Sequence, residues 1–181
     1  MKEIALHILD IAQNSISAGA SIVNIELLEN ISDDILHLKI SDNGKGMDEN
    51  TVNNVTDPYF TTRRTRKVGL GIPLLKHSAE QAGGSFMISS IPGQGTEISA
   101  IFCHSHIDRP PVGDIAGVIS ILAGANPEID FIYRHAIDGA DYTFNTIELK
   151  EVLEEVPLSE HAVIRYMKEM IEDNLKSLSD T

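Results

Sequence analysis

The first forty residues change their apolar period once, and that change restricts the fold more than any other feature of the chain. From Ile4 to Ile16 the apolar side chains at Ile4, Ile8, Ile11, Ala12 and Ile16 fall mostly three or four apart, and Ala5, Leu6 and Leu9 widen the stripe. That spacing predicts an amphipathic helix over residues 3–17, stopped by Gly19 in Ala18-Gly19-Ala20. Residues 21–27 and 35–41 then alternate with period two and predict two strands joined by a turn at 30–34, an antiparallel pair. A second helix is expected over 70–82, ended by Gly83-Gly84. Two more strands follow, 85–90 and 96–102, with the turn Pro92-Gly93-Gln94-Gly95 between them. Helix, strand pair, long loop, helix and hairpin together predict a two-layer α/β sandwich with helices on one sheet face.

Past Cys103 the chain changes character. His104-Ser105-His106-Ile107-Asp108-Arg109-Pro110-Pro111 reads as an extended connector. Beyond it a helix is expected near 113–124, a hairpin over 129–133 and 142–144, and two final helices near 146–155 and 159–178 separated by Pro157. The chain divides on this reading into residues 1–103 and a small C-terminal α/β extension, 104–181, of unassigned role.

Bulk properties exclude several functions. The formal charge of −13 argues against a nucleic-acid binder, which needs clustered Lys and Arg for phosphate. With no Trp and 5% aromatic residues, the chain also lacks the stacking surface used on single strands. Cys103 is the only cysteine, so no intrachain disulfide or thiolate cluster can form. No apolar run is long enough to span a membrane and the start lacks a signal-peptide core, so the chain reads as cytoplasmic.

Four segments carry candidate chemistry. Asp10 and Asn14 are one turn apart on the first helix and share its face. Asp can order or deprotonate a hydroxyl or water, and Asn offers an oxygen to Mg²⁺. Asp42, Gly44 and Gly46 follow a strand, where a carboxylate can accept from an amino group and glycines allow a close backbone approach. Alone, that pattern better describes a plain turn after a strand. Gly69, Leu70 and Gly71 open a helix, where unpaired N–H groups favour phosphate. Just before them, Arg63, Arg64, Arg66 and Lys67 place four of the 14 basic residues within five positions. Residues 42–71 otherwise form a loop too long for a mere connection.

In this order the segments resemble the GHKL superfamily of ATPases, which includes DNA gyrase, a heat-shock chaperone, histidine kinases and a mismatch-repair ATPase. Residues 10–20 look like its N box, Pro58-Tyr59-Phe60-Thr61-Thr62 like the histidine-kinase phenylalanine box, and 83–96 like the closing hairpin. The resemblance spans roughly residues 6–102. It implies ATP and Mg²⁺ as cofactors, with the metal on Asn14 and the adenine amino group on Asp42. Further nucleotide contacts are implied at Gly44, Gly46, Met47, Phe60, Thr62, Arg64, Gly69, Leu70, Gly71 and Thr96, and a catalytic role at Asp10. Three departures stand out. Asp10 replaces the glutamate of the hydrolysing members, Lys67-Val68 replaces the first glycine of the lid motif, and the chain starts too close to the N box for a dimerising phosphoacceptor hairpin. Two functions fit: a signalling kinase that transfers the γ-phosphoryl to a partner protein, or an ATP-dependent switch or slow ATPase that regulates a partner without transfer. The partner's identity and a homodimeric state stay open.

Outside these motifs, His104, His106, Asp108 and His135 are the alternative metal ligands, His7 reads as a packing or capping residue, and Glu148, Glu151, Glu154 and Glu155 as a solvated helix face.

Overall fold

The computed structural model describes residues 3–57 and 70–179. Its elements in chain order are α1 (Ile4–Ser17), β1 (Ile22–Asn30), β2 (Ile35–Asp42), α2 (Glu49–Asn54), α3 (Gly71–Gln81), β3 (Ser85–Ile91), β4 (Gly95–Cys103), α4 (Ile115–Ala125), β5 (Asp130–Ile137), β6 (Ala140–Asn145), α5 (Thr146–Leu153) and α6 (His161–Ser179). All six strands belong to one sheet of order β3-β4-β2-β1-β5-β6. The mixed α/β sandwich expected from the two periodicities is what forms. The short α2, capped by the Asp48 carboxylate on Thr51 N–H at 2.7 Å, carries no apolar stripe that would reveal it.

Period-two alternation decides which face of each strand enters the core. Val23, Ile25 and Leu27 of β1, Leu36, Leu38 and Ile40 of β2, and Ile98, Ala100 and Phe102 of β4 are buried. Ile4, Ile8, Ile11 and Ala12 of α1 and Ile72, Leu75 and Ala79 of α3 close over them in the same cluster. The opposite face carries Glu26, Lys39, Glu97 and Arg134, linked by ion pairs such as Lys39–Glu97 at 3.0 Å. Those exposed pairs add little stability.

The C-terminal segment extends the same sheet and the same core. β5 pairs in parallel with β1, Val23 opposite Phe131 and Leu27 opposite His135, while β6 returns antiparallel to β5. Phe131, Tyr133 and Phe144 join the cluster that holds α1, and the apolar α4 packs against both α1 and α6. The connector also caps α1. Ile4 N–H and Ala5 N–H donate to the carbonyls of Pro111 and Val112, both at 2.9 Å, satisfying donors that a helix start leaves open.

A second tie joins the halves at the far end of β1. One carboxylate oxygen of Glu29 accepts from His104 Nε2 and the other from His135 Nε2, each at 2.8 Å, and Tyr133 Oη lies 2.8 Å from His135 Nδ1. His104 is thereby engaged by Glu29, and β4 ends at Cys103, so His104 and His106 do not share a strand face. Burial pushes the Glu29 carboxyl up, but the bonds and charges of His135 and His104 outweigh it, and the net shift is below the ordinary 4.5. A depressed carboxyl contributes stability that is full above its unfolded value and is lost as the pH falls through the folded one. Chemical denaturation between pH 6 and pH 3 should therefore show a steeper acid loss for the wild type than for Glu29→Gln, the advantage of the wild type holding steady above pH ~4.5 and shrinking below it. Parallel curves would mean that the bridge contributes nothing.

Candidate functional site

The site assembles at the end of the sheet where β2 and β4 meet the C-terminal half of α1 and the start of α3. Asp42, Thr96 and Ser90 stand side by side across β2, β4 and β3. Asp42 and Thr96 have the parity of the buried residues of their strands, and Ser90 that of the half-buried Phe86 and Ile88 of β3, so the three polar groups face the helix layer, one step beyond the apolar core.

From the helix side, Ser15 reaches the same row. Its Oγ donates to Asp42 Oδ2 at 2.6 Å, while Asp42 Oδ1 accepts from Gly44 N–H at 2.9 Å. Two donors on different elements therefore fix the carboxylate plane. Asn14 precedes Ser15, and Asp10 lies one turn back on the same half-buried face. Asp10 abuts the first residue of α3: a Cβ built on Gly71 would stand 3.0 Å from its Oδ2. Leu70, before that helix, is exposed, and Gly71 is buried.

The loop after β2 is locked from several sides. Asn43 Oδ1 accepts from Ser21 N–H at 2.9 Å and Ile22 N–H at 3.0 Å. Lys45 N–H donates to Ala18 carbonyl at 3.0 Å, and its own carbonyl accepts from Gly93 N–H at 2.7 Å. Met47 N–H donates to Ser90 Oγ at 2.8 Å. Gly46 is required twice over, because its φ is +64° and a Cβ there would lie 2.1 Å from the Ile91 carbonyl oxygen.

Of the residues singled out from the sequence, Asp10, Asn14, Asp42, Gly44, Gly46, Met47, Leu70, Gly71 and Thr96 gather around this one region. Phe60, Thr62, Arg64 and Gly69, with Arg63, Arg66 and Lys67, lie outside the described residues. Among the described residues no group of three His, Cys, Asp or Glu side chains is arranged to hold a metal. A cation beside Asn14 would accordingly take most of its ligands from phosphate and water, as Mg²⁺ commonly does.

Three residues were not picked out as functional by motif reading. Ser15 and Ser90 are ordinary serines until the strand order places them beside Asp42 and Thr96. His7 is fully buried, and its Nε2 lies 3.3 Å from Ser78 Oγ of α3. Burial pushes its pKa down to about 4, so it stays neutral under ordinary conditions and packs the α1–α3 seam as an uncharged ring.

A two-layer α/β sandwich thus carries a row of polar groups between α1 and the glycine loop that follows β2. The family model for histidine kinase-, DNA gyrase B- and HSP90-like ATPases matches residues 1–105, and the chain belongs to that family. A putative sensor protein of Shewanella frigidimarina is 31% identical over 109 residues, 60% of this chain and 16% of that protein. A probable C4-dicarboxylate sensor kinase of Bacillus subtilis is 35% identical over 71 residues, 39% of this chain and 13% of that one. The Escherichia coli signal transduction histidine-protein kinase AtoS is 33% identical over 101 residues, 56% of this chain and 16% of its own length. The chain thus spans less than a fifth of these relatives and matches their histidine-kinase-type ATPase domain. Among solved structures, the Aquifex aeolicus MutL ATPase domain complexed with ADP superposes with a TM-score of 0.54 at 13% identity, covering 85% of this chain and 70% of that one. The N-terminal domain of a DNA repair protein gives a TM-score of 0.59 at 14% identity over 79% of this chain and 52% of that one. At those identities the likeness is one of fold. No helix among the described residues is long and apolar enough to cross a membrane.

The locked loop leads to a direct expectation. Gly46→Ala forces a methyl into the Ile91 carbonyl in a backbone region that L-residues avoid, and should cost about 1–3 kcal/mol of unfolding free energy in denaturant titration. A loss below a few tenths would show that the loop is not held as described.

Proposed function

We propose that the pocket binds Mg-ATP and that the chain is a signalling phosphotransferase acting on a partner protein. The observation that carries this reading is the meeting of Asp10, Asn14 and the Gly71 helix start on one side with the anchored Asp42 and Thr96 on the other. Each group fits one part of the nucleotide. Asp42, held by Ser15 and Gly44, keeps lone pairs for the amino group of adenine. The helix start at Gly71, with Gly69 and Leu70 before it, offers N–H donors and the positive end of the helix dipole to the phosphates. Asn14 would hold Mg²⁺, whose charge neutralises the phosphate oxygens during transfer. Phe60, Thr62 and Arg64, outside the described residues, are the further nucleotide contacts of this reading.

Asp10 would take the proton of an attacking hydroxyl. It is one methylene shorter than glutamate, and glycine at position 71 keeps the approach to it open. The sensor kinases among the relatives favour transfer to protein over free hydrolysis. An ATP-driven switch that regulates a partner without transfer is the second reading, favoured by the same shortened carboxylate. Residues 1–103 supply the nucleotide site on this view, and 104–181 form the extension that widens its sheet. A partner protein, a homodimer and a cytoplasmic setting belong with the same proposal.

Two measurements test it. Calorimetric titration with ADP should show Asp42→Asn weaker than wild type by roughly 1–3 kcal/mol, since the amide presents a donor where an acceptor is needed. Equal affinities would remove Asp42 from the base pocket. Incubation with γ-labelled ATP and protein that co-purifies with the chain should leave label on the partner, lost in Asp10→Ala and in Asn14→Ala. Binding without transfer or hydrolysis would leave the switch alone standing.

A further inference from the structure

Ser90 sits at a junction of three polar groups, and hydrogen counting there decides the polarity of one of them. Its Oγ lies 2.8 Å from Met47 N–H, 2.9 Å from the Gly95 carbonyl oxygen and 2.9 Å from Thr96 Oγ1. The Met47 amide can only donate, so it occupies one lone pair of Ser90 Oγ. The Gly95 carbonyl can only accept, and two oxygens at that distance need a proton between them, so the Ser90 hydroxyl hydrogen points at Gly95. One lone pair is left on Ser90 Oγ, and Thr96 can satisfy it only by donating. The Thr96 hydroxyl hydrogen is therefore turned toward Ser90, away from Asp42 on the opposite neighbouring strand. What Thr96 shows to the pocket is lone pairs.

We propose that Ser90 is a specificity-determining residue: by holding Thr96 as an acceptor beside the Asp42 carboxylate, it makes the base-facing row accept only. An exocyclic amino group has two N–H donors and matches two adjacent acceptors. A 6-oxo group brings lone pairs against lone pairs. Ser90 thereby selects amino-purine over oxo-purine nucleotides without touching the base. The role rests on the reading of Asp42 as the adenine contact given above, with Thr96, its cross-strand neighbour, facing the base beside it.

The experiment is calorimetric titration of the full chain with ADP and with inosine diphosphate, whose base carries oxygen in place of the amino group. Wild type should favour ADP. Ser90→Ala frees the Thr96 hydroxyl to donate to a 6-oxo group, so the ADP-to-IDP affinity ratio should fall about fivefold, the factor that one hydrogen bond commonly supplies. Ser90→Thr keeps the hydroxyl and should keep the ratio. Because both ligands are titrated into the same preparation, a partly unfolded variant changes the stoichiometry and leaves the ratio intact. An unchanged ratio in Ser90→Ala, with both affinities lowered alike, would overturn the selective role and leave the Asp42 pocket standing. If wild type binds neither nucleotide, or Asp42→Asn binds ADP as wild type does, the pocket reading falls and the role of Ser90 with it.

Discussion

The burial of α1 is the constraint on which the rest of this molecule depends. One stripe of that helix, Ile4, Ile8, Ile11 and Ala12, is pressed into a core shared by all six strands. The next stripe carries Asp10 and Asn14, and Ser15 lies between the two. A rotation that improved one stripe would misplace the other. The core therefore aims the polar groups, because close packing admits few orientations of a helix with so many buried methyl groups. The helix is held from above and below: the connector carbonyls of Pro111 and Val112 close its first turn, and Lys45 N–H takes the carbonyl of Ala18 just past its end.

That arrangement makes the C-terminal segment part of the machinery that positions the site. β5 adds to β1 in parallel, the Glu29 bridge to His104 and His135 holds the far end, and α4 lies against α1. None of these groups approaches Asp42. They act through the helix and the strand they immobilise. Ser90 and Thr96 can then stand within a hydrogen bond of each other with Asp42 next to them across the sheet, the hydroxyl directions decided by neighbours that have no choice of role.

Much of this was legible from local pattern. Helical spacing over Ile4–Ile16, alternation in both early strands, the Pro92–Gly95 turn and the C-terminal hairpin all give elements at the expected places, because each depends on side chains only a few residues apart. The turn at Gly44 and Gly46 was legible as well, since a close backbone approach demands glycine there, whereas Thr96 was singled out only through the family resemblance. The short α2 was not legible, as it buries no stripe. The roles of Ser15 and Ser90 were not legible either, and for His7 the packing role was legible but its partner Ser78 was not. A serine carries no signal until a carboxylate or a second hydroxyl stands opposite it, and a histidine in an apolar helix gives no hint of the serine on the helix it meets.

The sequence by itself determined the kinds of element, their order, and the residue types at the turns and helix starts, because these follow from steric and periodic rules that act over one or two turns of chain. The tertiary structure alone decided that β5 would run parallel to β1, that Asp10 would meet Gly71, and that Ser90 would spend its one hydrogen on Gly95 and take the hydrogen of Thr96. Those outcomes depend on which strands become neighbours and in what register. Strand neighbours and register are settled by burying one common core from segments a hundred residues apart, a balance that no local stretch of the chain contains.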